Sequence, residues 1–396
     1  MSLVVLSRVL LPRLQVIAHG VLPESQCGLR ASRSTIDAVF TLRQLQEKCI
    51  EQQRPLYVAL MALTKAFDLV SRSGLFAILR RFGCPDTLLN IILKLHDDMH
   101  ATVQVSGSRS RRFPIKRGVK QRCVLAPTLF AIFFTALLIR AFPKPSGVLL
   151  HCRTSGKFFD LSHFRDKSKV RRLFIRELLY ADDAAFVATS TSTLQNLCSS
   201  FASACAENHT TISLSKTVVL SQGPCSSPHI SINGAVLQSV DKFCYLGSTV
   251  DNTNSLKSEL DIRIGKAATT FGQLRPRVWS NGNVSIRVKI QVCMSCVVSV
   301  LLYGCETWAT YRHQECHFNS FHMRCIRSIL GLSWKDHVPN TSILQMTGSD
   351  GRPKLRFQDV LQRNLNAFSI TSISWEKLAC NKREWKSVIE TGKQTS

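Results

Sequence analysis

The stretch Arg176–Thr189 reads RELLYADDAAFVAT and carries two adjacent aspartates between two apolar runs. Each run is short and Asp182 and Asp183 separate them, which predicts a strand, a tight turn and a second strand. Two carboxylates on a hairpin turn suit a divalent cation such as Mg²⁺, which prefers oxygen ligands and shares substrate phosphates. Paired aspartates also occur on ordinary polar turns, so Tyr180–Asp183 does not define a site by itself.

Strands and helices alternate on both sides of this stretch. The continuous apolar run Pro55–Leu63 predicts a buried strand. Apolar residues at helical spacing predict helices over residues 35–50 and 86–99, and helices are also predicted over residues 74–82 and 192–208. The apolar segment 126–142 predicts a buried helix. Alternating runs predict further strands over residues 101–106 and 211–220. Such alternation is typical of an α+β sheet domain.

The pattern of apolar and polar residues changes after residue 249. Helical periodicity with polar breaks covers residues 255–275, 285–303 and 312–330, which predicts a separate helical domain over residues 250–345. The last segment, residues 346–396, is polar and basic.

The N-terminal 22 residues are apolar with interspersed arginines, a composition that signal and transit peptides share. Leu10, Leu14 and Ile17 recur at helical spacing, and this favours an amphipathic helix packed into a domain. The apolar run Val124–Ile139 contains Pro127 and is short for a membrane span, so a buried helix is predicted there and no transmembrane segment.

The charge balance points to a polyanionic partner. Lys and Arg outnumber Asp and Glu by 51 to 26, a formal net charge of +25. Such a surplus attracts nucleic acid, although charge that serves only solubility is the alternative. The basic runs 109–117 and 167–172 are likewise either solvated loops or phosphate contacts. The apolar share of 45% excludes a disordered chain.

The 15 cysteines are an odd number and are scattered through apolar stretches, for example at Cys123, Cys198 and Cys296. This pattern indicates buried free thiols in a reducing, intracellular setting rather than a disulfide framework. Cys293-x-x-Cys296, with a His/Cys cluster after it, is compatible with zinc. The two thiols stand one helical turn apart in an apolar run, however, and closed zinc-knuckle spacing is absent, so core thiols and no zinc are predicted.

Other segments stand in a fixed order around the paired aspartates. They are LPESQCGLRASR (Leu22–Arg33), LMALTKAFD (Leu60–Asp68), GVKQRCVLAP (Gly118–Pro127), TISLSKTV (Thr211–Val218), FCYLGST (Phe243–Thr249), LLYGCETW (Leu301–Trp308) and FHMRCIRSILGLSWKDHVPN (Phe321–Asn340). Together with Tyr180–Asp183 they resemble the ordered motifs of reverse transcriptases from non-LTR, LINE-type retrotransposons. In that comparison Leu60–Asp68 is similar to motif A, Gly118–Pro127 to motif B and Tyr180–Asp183 to motif C. Thr211–Val218 is similar to motif D and Phe243–Thr249 to motif E.

The resemblance implies a right-hand polymerase of α+β class. Residues 1–249 would form a partial fingers segment and a palm with an antiparallel sheet and helices, beginning after most of the fingers and without an endonuclease domain. Residues 250–345 would form a helical thumb-like domain, and residues 346–396 a basic tail. The implied partners are an RNA template, a DNA primer and dNTPs, with no membrane. The implied location is intracellular, in the cytoplasm or nucleus, and the oligomeric state stays open.

The resemblance also implies roles for single residues. Mg²⁺ or Mn²⁺ ions, held by aspartates of motifs A and C, would activate the primer 3′-hydroxyl and stabilise the leaving pyrophosphate. The implied site residues are Asp182 and Asp183 as catalytic metal ligands, Lys216 as general acid, Phe67 as the gate against a ribose 2′-hydroxyl, Gln121 in the template–nucleotide pocket, Arg30 near the triphosphate, and Tyr245, Leu246 and Gly247 as the primer grip.

Two departures from the family pattern predict loss of activity. The motif A position of the metal-binding aspartate is Ala62, and a methyl group cannot coordinate a cation. Arg122 replaces the motif B glycine, where a bulky cation would obstruct the site. Two hypotheses follow: an RNA-directed DNA polymerase fold disabled at Ala62, or a nucleic-acid-binding remnant without catalysis. A third, a zinc-bound interaction module, would be abandoned if the purified protein held no stoichiometric zinc.

Overall fold

The computed structural model describes residues 2–30, 33–119, 123–143, 147–153, 170–223 and 228–347. In these ranges the helices are α1 (Ser2–Val21), α2 (Thr35–Glu51), α3 (Arg72–Arg81), α4 (Asp86–His96), α5 (Ala126–Ala141), α6 (Thr191–Glu207), α7 (Lys257–Leu274), α8 (Ile286–Val292), α9 (Ser299–Leu301), α10 (Arg312–Leu330) and α11 (Asn340–Thr347). The strands are β1 (Leu56–Met61), β2 (Leu63–Thr64), β3 (His100–Ala101), β4 (Gln104–Val105), β5 (Ser108–Arg109), β6 (Phe113–Pro114), β7 (Val148–Arg153), β8 (Val170–Ile175), β9 (Glu177–Tyr180), β10 (Asp183–Ala188), β11 (Thr211–Ile212), β12 (Val218–Gln222), β13 (Ser231–Ile232), β14 (Ala235–Val236), β15 (Gln238–Val240), β16 (Lys242–Tyr245) and β17 (Ser248–Asp251).

The described residues fall into two compact units. The first comprises those of residues 1–265 together with residues 301–314, and the second comprises residues 266–300 with the described part of 315–396. The assignment of fingers, palm and thumb to residue ranges stays a prediction.

A five-stranded sheet with the strand order β15-β12-β1-β10-β9 organises the first unit. β1 lies in the middle and pairs antiparallel with β10 and β12, and β10 pairs antiparallel with β9. β15 runs parallel to β12. The strand predicted in Pro55–Leu63 is therefore confirmed as β1, and the strand, turn and strand predicted in Arg176–Thr189 are confirmed as β9 and β10.

Both faces of this sheet are buried. Side chains alternate between the two faces along each strand, so neighbouring residues of β1 belong to different apolar clusters. Tyr57, Ala59 and Met61 of β1 belong to an apolar cluster that α1, α3, α4, α5 and α6 cover. Leu56 and Val58 belong to a second cluster, covered by α2 and by the β16–β17 hairpin. Burial on both faces explains why the strand is a continuous apolar run rather than an alternating one.

The helix predicted over residues 126–142 is confirmed as α5, which is buried on nearly all sides. Phe130, Phe133 and Phe134 are among its fully buried side chains. A helix that is apolar all round belongs in a protein core or in a membrane. α5 packs against α1 and α6. Among the described helices none combines the length and the apolar character that crossing a membrane requires.

The strands predicted over residues 101–106 and 211–220 are each interrupted, and both predictions were too simple. Residues 101–106 divide between β3 and β4, and β4 leads into β5 through a turn in which Ser106 and Gly107 both have positive φ. Residues 211–220 divide into β11 and β12, because a hydrogen-bonded turn from Ser213 to Thr217 breaks the extended chain.

The second unit is helical. The helix predicted over residues 312–330 is confirmed as α10, but the one predicted over 285–303 is divided into α8, a π-helical segment Cys293–Val298 and α9. The buried apolar side chains of the second unit include Val297, Ile326 and Ile343. Phe271 stacks on Trp279 with the ring centroids 5.0 Å apart.

Candidate active site

The two aspartates lie at the tip of the β9–β10 hairpin. Tyr180 pairs with Asp183 across the two strands, so only Ala181 and Asp182 form the turn. Ala181 has a φ of 54°, in the left-handed region that two-residue hairpin turns require and that alanine adopts with strain. Asp183 is the exposed first residue of β10, and the residues after it in the strand are buried.

Ala62 comes next to Asp183 through the register of the central sheet. Met61 of β1 is paired with Ala184 of β10, and the chains run antiparallel. One residue further along β1 and one residue back along β10 are Ala62 and Asp183, and both line the same cavity of about 280 Å³. The methyl group of Ala62 thus belongs to the same cavity lining as Asp183.

The turn that interrupts the predicted strand places Lys216 at this cavity. Ser213 donates its N–H to the Ala62 carbonyl at 2.8 Å, and Ala62 donates its own N–H to Thr217 Oγ1 at 3.4 Å. Because both ends of the turn are bonded to the backbone of Ala62, Lys216 lies in the cavity lining together with Asp183. The segments that resemble motifs A, C and D therefore meet here.

The electrostatics of the cavity disfavour a second negative charge. Although Asp183 is exposed at the cavity mouth, the surrounding protein partly desolvates its carboxyl group and so raises its pKa, and the adjacent Asp182 carboxylate raises it further. Like charges this close repel each other, and a divalent cation or a proton would relieve that repulsion.

The donor set fits one divalent cation better than a bridged pair. Magnesium is typically held by one or two carboxylates, with water and substrate phosphates completing its six ligands. Asp183 lines the cavity and Asp182 stands next to it on the turn, outside the described lining, whereas Ala62 supplies no oxygen. Within the described ranges, no three His, Cys, Asp or Glu side chains group as metal ligands.

Gln26 is a residue of this site for which no role was predicted. Its side chain is fully buried, and its Oε1 accepts hydrogen bonds from the N–H of Gly28 at 2.9 Å and of Ala181 at 3.1 Å. Its Nε2 donates to the carbonyl of Ala181 at 3.4 Å. The only sequence signal was its place in the LPESQCGLRASR segment, since the bonded residues are 155 positions apart.

Phe67 and Gly118 sit where motifs A and B meet. The Phe67 ring stacks on Phe130 of α5 with the centroids 4.5 Å apart. Gly118 has a φ of 83°, and a Cβ there would lie 2.6 Å from the Asp68 carbonyl oxygen, so glycine is required by both conformation and space. Val119 donates its N–H to the carbonyl of Phe67 at 3.0 Å.

Arg30 is engaged away from the cavity. Its guanidinium donates to the Pro23 carbonyl at 3.1 Å and forms an ion pair with Glu24 at 3.2 Å. Arg30 is not among the described residues that line the cavity of Asp183. Gln121 and Arg122 lie outside the described residues.

The three predicted primer-grip residues belong to the β16–β17 hairpin, whose turn is Leu246–Gly247. Tyr245 and Leu246 line the cavity. The Tyr245 side chain is nonetheless buried in the core, and its hydroxyl donates to the Leu178 carbonyl at 3.5 Å. Burial raises the pKa of that hydroxyl. Both turn residues have positive φ, and Tyr303 donates its hydroxyl to the Leu246 carbonyl at 2.9 Å.

The prediction of buried thiols holds in part. Cys198 and Cys293 are buried and burial raises their pKa, to about 12 and about 11 respectively. Cys123 is half-buried, and the prediction for Cys296 was wrong, because it lies on the exposed side of its helical segment. The expectation of no zinc stays a prediction.

The site thus combines a mixed sheet, paired aspartates at the tip of a β-hairpin and a lysine that lines the same cavity as Asp183. The sequence model described as "Reverse transcriptase (RNA-dependent DNA polymerase)" matches residues 2–250. The chain belongs to this family, and the predicted origin of its motifs in a LINE-type retrotransposon is confirmed by relatives among non-LTR elements.

Two relatives and one solved structure illustrate the similarity. The chain is 23% identical to the probable RNA-directed DNA polymerase from transposon BS of Drosophila melanogaster, covering 73% of this chain and 30% of the relative. It is 26% identical to the Pol polyprotein from type-1 retrotransposable element R2 of Popillia japonica, covering 58% and 36%. Apo telomerase from Candida tropicalis matches with a TM-score of 0.44 and 12% identity, covering 82% of this chain and 54% of that one. The chain spans about a third of the length of the curated relatives.

Proposed function

We propose that this chain is the polymerase module of a LINE-type reverse transcriptase that has lost DNA synthesis through Ala62. Its partners are an RNA template, a DNA primer and dNTPs inside the cell, in the cytoplasm or nucleus. The similarity to the probable RNA-directed DNA polymerase from transposon BS supports these partners. In this proposal residues 1–249 are fingers and palm, residues 250–345 a thumb-like domain and residues 346–396 a basic tail.

The central sheet supports the assignment of a palm, since the β9–β10 hairpin carries its aspartates beside the end of β1. Asp182 and Asp183 would hold Mg²⁺ or Mn²⁺, which when bound activates the primer 3′-hydroxyl and stabilises the leaving pyrophosphate. Lys216 Nζ would donate a proton to that pyrophosphate. Phe67, held by its stacking on α5, would limit the room beside the 2′ position of the incoming sugar.

The observation that carries the loss of activity is the shared cavity of Ala62 and Asp183. Family members place a carboxylate at the Ala62 position, where it would hold the catalytic cations together with Asp183. Without it, only the carboxylates of the β9–β10 hairpin would hold them, and stabilisation by metal ions depends on the number and geometry of their ligands. Asp68, at the end of the same segment, is exposed and is also present in active members, so it does not replace the missing ligand.

Binding of nucleic acid without catalysis is the second candidate function. The β4–β5 hairpin and the segment after it are exposed and carry Arg109, Arg111 and Arg112. Exposed arginines on a short two-stranded ribbon suit phosphate contacts, and the net charge of +25 has the same sign. These features need no metal site, so binding would survive the loss at Ala62.

Primer extension on an RNA template with Mg²⁺ or Mn²⁺ tests the proposal. We expect no extension by the natural chain and extension by the Ala62→Asp variant. Ala62→Asp/Asp183→Asn is the matched control, because it restores one carboxylate and removes the one across the cavity, and it should be inactive. Incorporation of dNTPs by the natural chain would contradict the proposal. Failure of both chains to extend a primer that they bind would favour the second candidate function.

A further inference from the structure

The N-terminal segment Ser25–Cys27 covers the outer edge of the central sheet. β9 is the last strand of the sheet, and its Leu179 exchanges backbone hydrogen bonds with this segment. Cys27 donates its N–H to the Leu179 carbonyl at 2.8 Å, and Leu179 donates to the Ser25 carbonyl at 3.1 Å. The edge strand that leads to the paired aspartates is thus held from outside by a segment more than 150 residues earlier in the chain.

Gln26 extends this backbone pairing onto the turn itself. Ala181 is the left-handed residue of the turn, and both its N–H and its carbonyl are bonded to the Gln26 side-chain amide. A buried amide bonded to both polar groups of one residue restricts that residue to a single conformation, and leaving those groups unpaired would cost free energy. The φ of Ala181 sets the direction in which the chain leaves β9 and enters Asp182.

Gly28 allows this arrangement by its lack of a side chain. A Cβ on Gly28 would lie 2.3 Å from the nitrogen of Ala181 and 2.9 Å from the carbonyl carbon of Tyr180. The Gly28 N–H also donates to Gln26 Oε1 at 2.9 Å, so the amide is held from two sides. Gln26 and Gly28 together form a rigid support behind the turn.

We propose that Gln26 is a positioning residue that sets the geometry of the Asp182–Asp183 turn for divalent-cation binding. The proposal rests on the proposed function in one respect, namely that this turn binds the cation. Gln26 touches neither cation nor substrate, and it acts through the backbone of Ala181.

Titration of Mn²⁺ into the full chain, with free Mn²⁺ measured by electron paramagnetic resonance, tests this role in the natural chain and in the Ala62→Asp background. Gln26→Met keeps a side chain of similar length but removes all three hydrogen bonds of the Gln26 amide. Gln26→Glu keeps an oxygen that can accept from Ala181 and Gly28, but it replaces the N–H group that donates to the Ala181 carbonyl. Supporting groups around metal sites change affinity by about tenfold or more, so we expect both variants to weaken Mn²⁺ binding at least about tenfold.

Gln222→Met is the matched control. Gln222 is also a buried glutamine of the first unit, and its Nε2 donates to the backbone carbonyl of Gln46 at 2.8 Å, away from the turn. We expect its Mn²⁺ affinity to stay within about twofold of the parent even where its thermal stability falls, since a loss of fold stability alone does not alter the turn. Equal weakening by Gln222→Met and Gln26→Met would overturn the positioning role.

Two further measurements separate this inference from the proposed function. Unchanged Mn²⁺ binding in both Asp182→Asn and Asp183→Asn would refute the cation site of the proposed function. Hydrogen exchange at the Ala181 amide then tests, independently of any cation, whether Gln26 holds the turn. Slow exchange in the parent and fast exchange in Gln26→Met supports the positioning role of Gln26, and fast exchange in the parent overturns it.

Discussion

Glu259 and Arg263 form an ion pair that is closed off from solvent, with exposed side-chain fractions of 0% and 5% and Arg263 Nε 2.7 Å from Glu259 Oε1. The other carboxylate oxygen of Glu259 accepts the N–H of Thr249 at 2.6 Å. Arg263 also donates to the Gly247 carbonyl, and its guanidinium lies 4.6 Å from the centroid of the Tyr303 ring. The first turns of α7 are thereby bonded to the β16–β17 hairpin.

Breaking this pair from one side should destabilise the first unit strongly. Glu259→Gln keeps an acceptor for Thr249 but leaves the Arg263 charge buried and uncompensated, a situation that costs about 3–5 kcal/mol. Urea unfolding of the full chain measures this loss in the free energy of unfolding. Lys48 and Glu51 are also 2.7 Å apart but are 47% and 53% exposed, so Glu51→Gln should cost less than about 1 kcal/mol. Similar losses in both variants would show that burial of the α7 pair has no energetic effect.

Gly28→Ala should disturb the paired-aspartate hairpin. The new methyl group would meet backbone atoms of Tyr180 and Ala181, which cannot rotate away as a side chain can. Overpacking of this kind costs about 1–3 kcal/mol, and we expect a lower melting temperature together with faster amide exchange in β9.

Gly20→Ala provides the contrast. A Cβ on Gly20 meets no atom within 4 Å, and Gly20 is exposed inside α1. Alanine there should stabilise the chain by about 0.5–1 kcal/mol, because glycine is the poorer helix former. A loss of stability in both variants would contradict the assignment of the Gly28 effect to close packing against the turn.

The raised pKa of Asp183 predicts a pH-dependent effect of Asp183→Asn. Because the folded-state pKa lies above the ordinary aspartate value of 3.8, the folded chain holds this proton more tightly than the unfolded chain does. The stabilising contribution is therefore complete below that value and is lost as the pH rises through the folded-state pKa. At neutral pH Asp183→Asn should be more stable than the parent, and the difference should vanish on acidification.

Thermal unfolding across the pH range checks this prediction. Mn²⁺ should stabilise the parent at neutral pH by mass action and should stabilise Asp183→Asn less. A variant that is destabilised equally at every pH would mean that the carboxylate has a structural role unrelated to its charge.

The basic hairpin should set the salt dependence of nucleic-acid binding. Each phosphate contact contributes about 0.7–0.9 to the slope of log affinity against log salt, so the triple variant Arg109→Gln/Arg111→Gln/Arg112→Gln should lower that slope by about 2–3. Fluorescence anisotropy with an RNA–DNA hybrid at several salt concentrations gives the slope. Arg80→Gln/Arg81→Gln, two exposed arginines at the end of α3, should leave it unchanged. Equal slopes in all three chains would exclude the hairpin as a phosphate contact.

Local patterns predicted the elements whose neighbours are close in sequence. In Thr35–Glu51 and Arg312–Leu330 apolar residues recur with the helical period, and Ala126–Ala141 is a continuous apolar run long enough for a buried helix. The strand over residues 211–220 was mispredicted because its break depends on the backbone of Ala62, which lies about 150 residues earlier, between β1 and β2. The exposure of Cys296 was missed for a similar reason, since an apolar run does not tell which side of a helix faces solvent.

The order of the motifs and the alternation of apolar runs determined by themselves the family and the α+β class, because these properties depend on residue types and spacing alone. Only the tertiary structure decided that Ala62, Asp183 and Lys216 line one cavity, that Arg30 is paired with Glu24 and that Gln26 holds Ala181. These relationships arise from strand register and from hydrogen bonds between distant segments. The physical reason is that a buried polar group must find its partner wherever the fold brings one within about 3 Å, and no local pattern records that partner.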